Sequence, residues 1–311
     1  MRRLASLAAC SLTIGFFASA GGAATRPPPS LQTLLNRYSP VVVLHPQERF
    51  QPVPVDGFLA DSDLYQQTAV GWQKVDEPLP SGVAGYRLDQ RLCSPRDGVA
   101  AVPCYAAAQD AHAAAPSVYG NASRRGDRIV LQYWLFYAYD AYSPTVPAGR
   151  FWQVHEGDWE AVSVLLDPSG TPLLAAYSQH SRGVRRDWAN VAKRGTHPVD
   201  YVALGSHANY FTVRTHRFDP RVVEPLLISI IRQNGLAPVD HTGNGPVLRP
   251  TVLPITGTSP SWMTFAGAWG EGQFLHAPGG SPVQFGTSPH GPAYHAQWRA
   301  PVKTVLGWPD S

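Results

Sequence analysis

The pattern of apolar positions along the chain predicts a protein built mainly from short strands. Arg128 to Tyr139 holds the densest run of β-branched and aromatic residues, and its apolar side chains fall on both faces of a strand. A strand of this composition is covered on both sides. We therefore expect Arg128 to Tyr139 to lie inside the fold.

The segment that follows predicts a hairpin. Ala161 to Leu166 and Leu173 to Ser178 are two further apolar runs, separated by the turn sequence Asp167-Pro168-Ser169-Gly170. Shorter apolar runs at Val41 to Leu44 and Tyr201 to Leu204 predict two more strands. The strands thus recur through most of the chain.

Helical patterning is confined to short pieces. Pro220 to Gln233 carries apolar residues at helical spacing and is followed by Gly235, and Leu31 to Tyr38 and Phe58 to Tyr65 predict two shorter helices. The 30 prolines and 28 glycines suit strands joined by irregular loops. These features predict a mainly β fold, a single-domain β-sandwich over residues 35 to 305 with a few short helices and long loops.

Composition narrows the class of protein. Hydrophobic residues make up 44% of the chain and charged residues 15%, which is enough apolar material for a real core. The 25 Lys and Arg residues against 22 Asp and Glu residues give a formal net charge of +3, without a long basic stripe. We therefore expect no nucleic-acid partner.

The N-terminus has the pattern of an export signal. Arg2 and Arg3 precede an apolar run to Phe17, and Ala18-Ser19-Ala20 is a small-residue cleavage pattern. We predict a signal peptide over residues 1 to 20, cleaved near 20 to 24, and a proline-rich lead over residues 21 to 34. A retained membrane anchor is the alternative. The mature protein is expected to be secreted, extracellular or periplasmic, without a transmembrane segment.

The two cysteines outside this signal support export. Cys93 and Cys104 bracket a short loop, and in an oxidising compartment such a pair forms a disulfide more often than it stays as free thiols. We therefore predict a Cys93–Cys104 bond.

Acidic side chains and one histidine follow the strongest strand. Asp140 ends that strand, and His155, Asp158 and Glu160 come shortly after it. Asp158 and Glu160 point to the same face of a strand, since side chains alternate with a period of two. Neighbouring buried carboxylates repel each other, so a cation or a shared proton must lie between them.

This oxygen-rich set with a single imidazole suits Mg²⁺, Ca²⁺ or Mn²⁺ better than a structural zinc ion. Two alternatives need no metal. The acids could bond to arginine side chains or backbone amides, or two of them could share a proton. The spacing of the residues does not choose between these readings.

Several motifs together resemble the vacuolar protein sorting-associated protein 62 family over most of the mature chain. They are YWLFYAYD, HEGDWEAV, YSQHS and ALGSHANYF, with VVVLHPQERFQPV near the start and GPAYHAQW near the end.

More distantly, the centre of the chain resembles the necrosis-inducing protein family of cytolysins, whose signature is Gly-His-Arg-His-Asp-Trp-Glu. Here the stretch runs from Val154 to Glu160, and Gly157 stands where the signature has its second His. Val154 and Glu156 also depart from the signature, which leaves cytolytic activity itself open.

In those cytolysins an upstream Asp and the first His, the Asp and the Glu of the signature hold a divalent metal. The resemblance therefore implies a metal at the matching positions, Asp140, His155, Asp158 and Glu160.

Three further residues are candidates for chemistry. The sequence Ser178-Gln179-His180 resembles a Ser-x-His element of the cytolysins, and His207 lies in a Gly-Ser turn. Either histidine could donate to a metal-bound water or a ligand, or merely bond a loop backbone. Glu156 is the third candidate. Packing roles are expected for the tryptophans of this region, with an aromatic rim for a glycan as the alternative for Trp152, Trp188 and Trp269.

The resemblance to the cytolysins implies an exported divalent-metal-binding protein that recognises a polar or anionic headgroup, such as a glycan or a glycosylated lipid at a membrane. A metal-dependent hydrolase, with a metal-activated water and His180 or Glu156, is one alternative. The sequence lacks a Gly-x-Ser-x-Gly elbow and a His-Glu-x-x-His helix. A purely structural ion is the other alternative.

Overall fold

A long antiparallel pair of strands forms the centre of the fold in the computed structural model. The structure describes residues 29–143, 145–146, 149–150, 152–217, 239–276 and 279–311. The central pair joins β6 (Arg128–Tyr142) to β9 (Trp152–Leu166), in register from Ile129 opposite Leu166 to Tyr142 opposite Gln153. The strand predicted at Arg128 to Tyr139 is confirmed and is three residues longer at its end.

The remaining strands are short. They are β1 (Val41–Val43), β2 (Ser62–Thr68), β3 (Gly71–Val75), β4 (Tyr86–Gln90), β5 (Ser117–Arg125), β7 (Thr145–Val146), β8 (Gly149–Arg150), β10 (Pro172–Gln179), β11 (Arg182–Asp187), β12 (Lys193–Arg194), β13 (His197–Val202), β14 (Asn209–Tyr210), β15 (Thr215–Arg217), β16 (Val239–His241), β17 (Val247–Leu248), β18 (Thr251–Pro254), β19 (Gln273–His276) and β20 (Val283–Gly286).

The α-helices of the described ranges are also short. They are α1 (Leu31–Arg37), α2 (Val55–Asp61), α3 (Val102–Ala111), α4 (Ala296–Arg299) and α5 (Pro301–Leu306). Short 3₁₀ turns lie at Pro95–Ala101, Trp188–Asn190, Ser261–Thr264 and Pro292–Tyr294.

The larger sheet has the strand order β11-β10-β9-β6-β5-β18, and β19 pairs with the first residues of β9 and with β20. The predicted hairpin after Asp158 is confirmed, because β9 and β10 pair across the turn at Asp167. A second sheet has the order β12-β13-β1-β17, with β14 on β13. The fold is mainly β and consistent with the predicted sandwich.

Both faces of the central pair are buried, as its composition predicted. Tyr133, Leu135 and Tyr137 pack in a core shared with Val42 of β1 and Val202 of β13, so this core fills the space between the two sheets. On the other face, a cluster rich in aromatic rings covers the pair: Trp134, Phe136, Trp159, Trp262, Phe265 and Trp269. The main sheet is therefore the middle layer of the protein.

Two helix predictions have different outcomes. The predicted helix at Leu31 to Tyr38 corresponds to α1, where the Ser30 side chain accepts a hydrogen bond from the amide of Thr33 and caps the helix. The prediction at Phe58 to Tyr65 is wrong for its second half, because α2 ends at Asp61 and β2 begins at Ser62. Pairing of β2 with β3 and β4 overrides the local pattern there.

Some predictions concern residues at the edges of the described ranges. The signal peptide and the helix at Pro220 to Gln233 lie outside the described residues. Leu34 of the predicted proline-rich lead and Trp308, beyond the predicted domain end, are both buried. The predicted disulfide is present between Cys93 and Cys104. Among the described residues, no helix has the length and apolar character needed to cross a bilayer.

Candidate metal centre

The pairing of β6 with β9 brings three of the four predicted ligands together. Asp140 lies opposite His155, and Tyr137 lies opposite Asp158. One ligand atom from each of Asp140, His155 and Asp158 lies within 4.8 Å of the others, and all three residues are buried. The convergence expected from the sequence is therefore present for these three residues.

The geometry of His155 fixes which of its nitrogens can bind a cation. Nδ1 lies 3.2 Å from the carbonyl oxygen of Glu156. Because a carbonyl oxygen can only accept, Nδ1 must carry the proton, and Nε2 then presents a lone pair. Nε2 lies 3.6 Å from Oδ2 of Asp140. Two lone pairs therefore face each other, and a positive charge or a proton between them would remove the repulsion.

Burial favours the neutral forms of Asp140 and His155 when no cation is present. Burial, followed by the charge of Asp158, raises the pKa of Asp140 well above its usual value. Burial lowers the pKa of His155, which keeps its imidazole neutral. A neutral imidazole is the form that ligates metals, so the environment suits His155 to that role.

Glu160, the fourth predicted ligand, lies outside the group of three. Its Oε2 accepts a hydrogen bond from the Ser178 hydroxyl of β10, and that hydroxyl also accepts the amide hydrogen of Ala161. Burial, followed by the charge of Asp158, raises the pKa of Glu160 well above its usual value. Its role as a ligand stays a prediction.

His207 supplies the positive charge nearest to these acids. Its Nδ1 lies 2.9 Å from Oδ2 of Asp158, and its Nε2 lies 3.6 Å from Oε1 of Glu48. Burial opposes protonation of this imidazole, but Glu48 and Asp158 outweigh it and raise its pKa to about 10. The ring of Tyr137 stacks on it at 3.9 Å, a favourable arrangement for a cation. The sequence identified His207 as a candidate but not this partnership.

Glu48 is a member of the site that the sequence analysis did not select. Its side chain is 2% exposed, and its Oε2 accepts a hydrogen bond from the Gly205 amide at 2.7 Å. Burial opposes ionisation, but the charge of His207 and bonds from His207, Gly205 and Phe50 outweigh it and lower the pKa of Glu48. In the sequence, only the motif VVVLHPQERFQPV points to Glu48, because no hydrophobic periodicity marks this residue.

No arginine or lysine neutralises these acids in the ranges that the structure describes. The ion pairs of Asp140 and Asp158 there are with histidines, His155 and His207. The alternative in which guanidinium groups satisfy the cluster therefore has no support among the described residues. A shared proton remains the competing way to balance the charge.

Glu156, a predicted catalytic candidate, occupies a separate environment. Its carboxylate accepts hydrogen bonds from the Tyr105 hydroxyl at 2.6 Å, the Glu271 amide at 2.9 Å and the Gln90 amide at 3.3 Å. Burial raises its pKa to about 8. Both oxygens are committed to these donors, so the arrangement links β9 to α3 and to distant loops.

His180, another of the three catalytic candidates, pairs with a different acid. Its Nε2 lies 2.8 Å from Oδ2 of Asp240 in β16, which also accepts hydrogen bonds from the hydroxyls of Tyr210 and Ser206 at 2.7 Å each. Burial opposes ionisation of Asp240, but His180 and the hydroxyls outweigh it and lower its pKa. His180 is therefore part of a neighbouring buried cluster.

Gly157 separates these environments along β9. It has a φ of +62°, and a Cβ there would overlap the carbonyl oxygen of Trp269. The register of β6 with β9 accordingly omits the pair Ala138 and Gly157. A side chain cannot be placed at residue 157 without movement of the backbone.

The tryptophans mostly pack, as expected. Trp159 and Trp269 are buried in the aromatic cluster, and Trp188 makes an edge contact with Tyr38 at 5.5 Å. Trp152 is partly buried and lines a cavity. Of the three candidate rim residues, Trp269 is therefore part of the core, Trp188 is partly buried, and Trp152 lines this cavity.

That cavity adjoins the candidate metal centre. Its volume is about 580 Å³. Its lining combines polar and aromatic side chains: His45, Gln47, Glu48, Arg49, Phe50, Tyr142, Trp152, His241 and Thr242. Glu48 lines the cavity, and its carboxylate lies beside His207. Tyr142 also lines it, and the Tyr142 amide donates a hydrogen bond to Oδ1 of Asp140 at 2.9 Å. A molecule in the cavity would thus lie beside residues that contact the candidate metal centre or its neighbour His207.

Comparison with known proteins gives only distant likenesses. No family model matches the chain, and no curated protein matches it. The resemblance to the vacuolar protein sorting-associated protein 62 family is therefore not shown.

Solved structures of necrosis-inducing proteins are similar to part of the chain. One, described as a toxin fold for microbial attack and plant defense, is 18% identical, covers 60% of this chain and 72% of its own, and has a TM-score of 0.34. Necrosis and ethylene inducing protein 2 from the causal agent of cocoa's witches' broom disease is 15% identical, with 74% and 76% coverage and a TM-score of 0.33.

A third structure, NLPPya in complex with mannosamine, is 16% identical, with 60% and 69% coverage and a TM-score of 0.32. Likenesses of this size assign neither a family nor a function to this chain.

Proposed function

We propose that this protein is an exported divalent-metal-binding protein that recognises a polar or anionic headgroup, such as a glycan or a glycosylated lipid. The observation that carries the metal is the lone-pair geometry at His155, whose Nε2 faces Oδ2 of Asp140 at 3.6 Å within a group completed by Asp158. Asp140, His155 and Asp158 would hold the ion, with Glu160 as the fourth proposed ligand.

The donor set fits Mg²⁺, Ca²⁺ or Mn²⁺. It combines carboxylate oxygens with one neutral imidazole, and it lacks the thiolates that a structural zinc site favours. A bound ion would supply positive charge to the buried carboxylates and attract polar oxygens of a ligand. His207 would continue to hold Asp158 and Glu48 in place, since it lies between their carboxylates.

The adjoining cavity supports recognition of a headgroup. Its volume of about 580 Å³ is within the range of small-molecule sites. Phe50 and Trp152 offer apolar ring surface, while Glu48, Arg49 and His241 offer polar groups. This combination suits a polyhydroxyl ring, whose faces are apolar and whose edges form hydrogen bonds.

Metal content and ligand binding can be tested on the same preparation. Elemental analysis of the purified exported chain before and after chelation, followed by calorimetric titration of the stripped protein with Mg²⁺, Ca²⁺ and Mn²⁺, measures the ion directly. We expect one ion per chain and its loss in an Asp140→Asn/Asp158→Asn variant. An exported chain that never contains or binds a stoichiometric ion would contradict the proposal.

Headgroup recognition needs a separate titration. Methyl glucoside, glucosamine and glucuronic acid differ in charge and probe the cavity with and without the ion. Arg49→Gln removes a cation that lines the cavity, and Arg37→Gln on α1 removes one that does not. We expect binding of one of these sugars that weakens on chelation, with the anionic sugar alone sensitive to Arg49. No sugar binding in the metal-loaded protein would contradict recognition but not metal binding.

A structural ion is the second candidate, and the burial of the group favours it. Asp140 is 4% exposed, and His155 and Asp158 are each 5% exposed. On this reading, chelation lowers the thermal stability but leaves sugar binding unchanged. The hydrolase alternative stays a prediction, tested by metal-dependent turnover of phosphoester, glycoside and ester substrates.

A further inference from the structure

A second cavity, formed beside β11 and β15, has a different chemical character from the cavity at the metal centre. Its volume is about 480 Å³, and its lining includes Phe211, Arg214, His216 and Arg217. The two-stranded ribbon of β15 and β16 separates the two cavities, since His216 lines this one and His241 lines the other.

Arg186 is held at the edge of this cavity by packing. Its guanidinium carbon lies 4.5 Å from the ring centroid of Phe211, and the Phe211 ring also stacks on Tyr177 at 3.9 Å. One Nη of Arg186 donates to the Ser311 hydroxyl at 2.9 Å, and both Phe211 and Ser311 line the cavity. These contacts fix the orientation of the guanidinium without neutralising it.

Arg214 is also oriented by a neutral partner. Its Nε donates to Nδ1 of His216 at 3.2 Å, which leaves its two Nη groups directed away from this bond. Burial is the first cause that lowers the pKa of His216, to about 4, so the imidazole is neutral and accepts this hydrogen bond. The ring of His216 stacks on Tyr210 at 3.7 Å, which holds the pair in position.

Among the described residues at this cavity, cationic side chains outnumber acidic side chains. Asp310 lines the cavity, but its Oδ1 is paired with Nε of Arg185 at 2.9 Å. In the part of the chain that the structure describes, Arg186, Arg214 and Arg217 form no ion pair with a carboxylate. Burial lowers the pKa of Arg186; Tyr177 opposes this shift, and the charge of Arg214 adds to it. An anion bound at this cavity would reduce the repulsion between these two guanidinium groups.

We infer that this cavity is a binding site for an oxyanion group, a phosphate or a sulfate, held by Arg186 and Arg214 with Arg217 at the rim. A guanidinium presents paired N–H donors that match the oxygens of such a group. The site does not depend on the metal centre, because the residues that form it contribute nothing to the group around His155. It gives the protein a second point of attachment, specific for a phosphorylated or sulfated molecule.

Titration of the metal-stripped protein with inorganic phosphate and with sulfate tests this site. We expect saturable binding of one ion that weakens as the salt concentration rises. An Arg186→Gln/Arg214→Gln variant should weaken phosphate binding by about tenfold or more, whereas Arg214→Lys should weaken it less, since lysine keeps the charge but not the paired donors.

The matched control is Arg124→Gln/Arg125→Gln, which removes the same charge from exposed positions at the end of β5. Thermal melts verify that each variant folds, and the single exposed-residue variant Arg214→Gln replaces the double variant if the latter does not. Equal phosphate affinity in the wild type, the cavity variant and the control would overturn the inference, as would the absence of saturable binding.

Two further titrations identify the source of the group. Glucose 6-phosphate presents it on a soluble sugar, and vesicles of phosphatidylcholine with phosphatidic acid present it on a membrane. Binding of either one that is lost in the cavity variant supports the site and assigns its source. Binding of either one that requires the divalent ion and ignores Arg186 and Arg214 would place the anion at the metal centre and overturn the inference.

Discussion

Glu156 and Asp158 are buried carboxylates two residues apart on one strand, yet their surroundings are opposite in kind. Glu156 accepts hydrogen bonds from one hydroxyl and two backbone amides. Asp158 shares its surroundings with Asp140 and His155 and is balanced by one imidazolium, His207. A buried acid is stable when the fold supplies enough donors, and a group of acids with too few donors is left to recruit a cation.

Gly157 lies between Glu156 and Asp158 on β9. Its substitution should therefore disturb both environments and have the largest effect on stability. Gly157→Ala adds a Cβ that overlaps the Trp269 carbonyl at a φ of +62°. We expect a loss of about 3 kcal/mol or more in the free energy of unfolding, from strain and overlap together. Chemical denaturation measures it.

Gly126→Ala is the matched control for this prediction. Gly126 has a φ of +60°, but a Cβ there would meet no atom within 4 Å. It should cost only the backbone strain, about 1 kcal/mol. Equal losses at the two positions would show that contact with Trp269 does not constrain β9.

The second test asks whether the two carboxylates differ in metal binding. Asp158→Asn should weaken the affinity for the divalent ion by about 100-fold or more, since it removes a charged ligand. Glu156→Gln should leave that affinity within about threefold, because Glu156 faces protein donors instead. Calorimetric titration compares them. A loss in Glu156→Gln as large as that in Asp158→Asn would mean that the environments are not separate.

The third test concerns the protonated imidazole of His207, which lies beside Asp158 of the candidate metal centre. Its pKa rises from 6.5 to about 10 in the folded protein. The stabilisation from its protonated form is therefore fully present below pH 6.5 and is lost as the pH rises toward 10. The metal-stripped protein should lose about 2 kcal/mol between pH 7 and pH 8.5.

Titration of the histidine ring by NMR measures the same property directly. The His207 ring should remain protonated at pH 8, and Glu48→Gln should lower its pKa because it removes one of its two acidic partners. A His207 ring that is neutral at pH 7 in the metal-stripped protein would contradict the charge balance described for Asp158.

We expect the smallest effect when a side-chain hydroxyl that donates a hydrogen bond to Glu156 is removed. Tyr105→Phe removes a hydroxyl that donates to its carboxyl group, while Tyr139→Phe removes one that donates to the Gly98 carbonyl. The two rings stack at 4.0 Å, so the variants are matched in surroundings. We expect a cost of about 2 kcal/mol for Tyr105→Phe and about 1 kcal/mol for Tyr139→Phe by chemical denaturation. A reversed order would indicate that Glu156 is satisfied without Tyr105.

Local sequence determined the features that depend on neighbouring residues. The composition of Arg128 to Tyr139 predicted a strand buried on both faces, and the two cysteines predicted their bond. The spacing around one connection predicted that Asp140, His155, Asp158 and Glu160 would meet, and pairing of β6 with β9 brings all but Glu160 into one group. These predictions succeeded because alternation along a strand and pairing across a short connection are local properties.

Tertiary structure alone decided how each acid is balanced. Glu48 and His207 reach Asp158 from distant parts of the chain, and Tyr105 and Glu271 reach Glu156 in the same way. No periodicity in the sequence carries information on such long-range contacts. The sequence therefore determined which strand carries the carboxylates, whereas the packing of distant segments decided which donors each carboxylate receives.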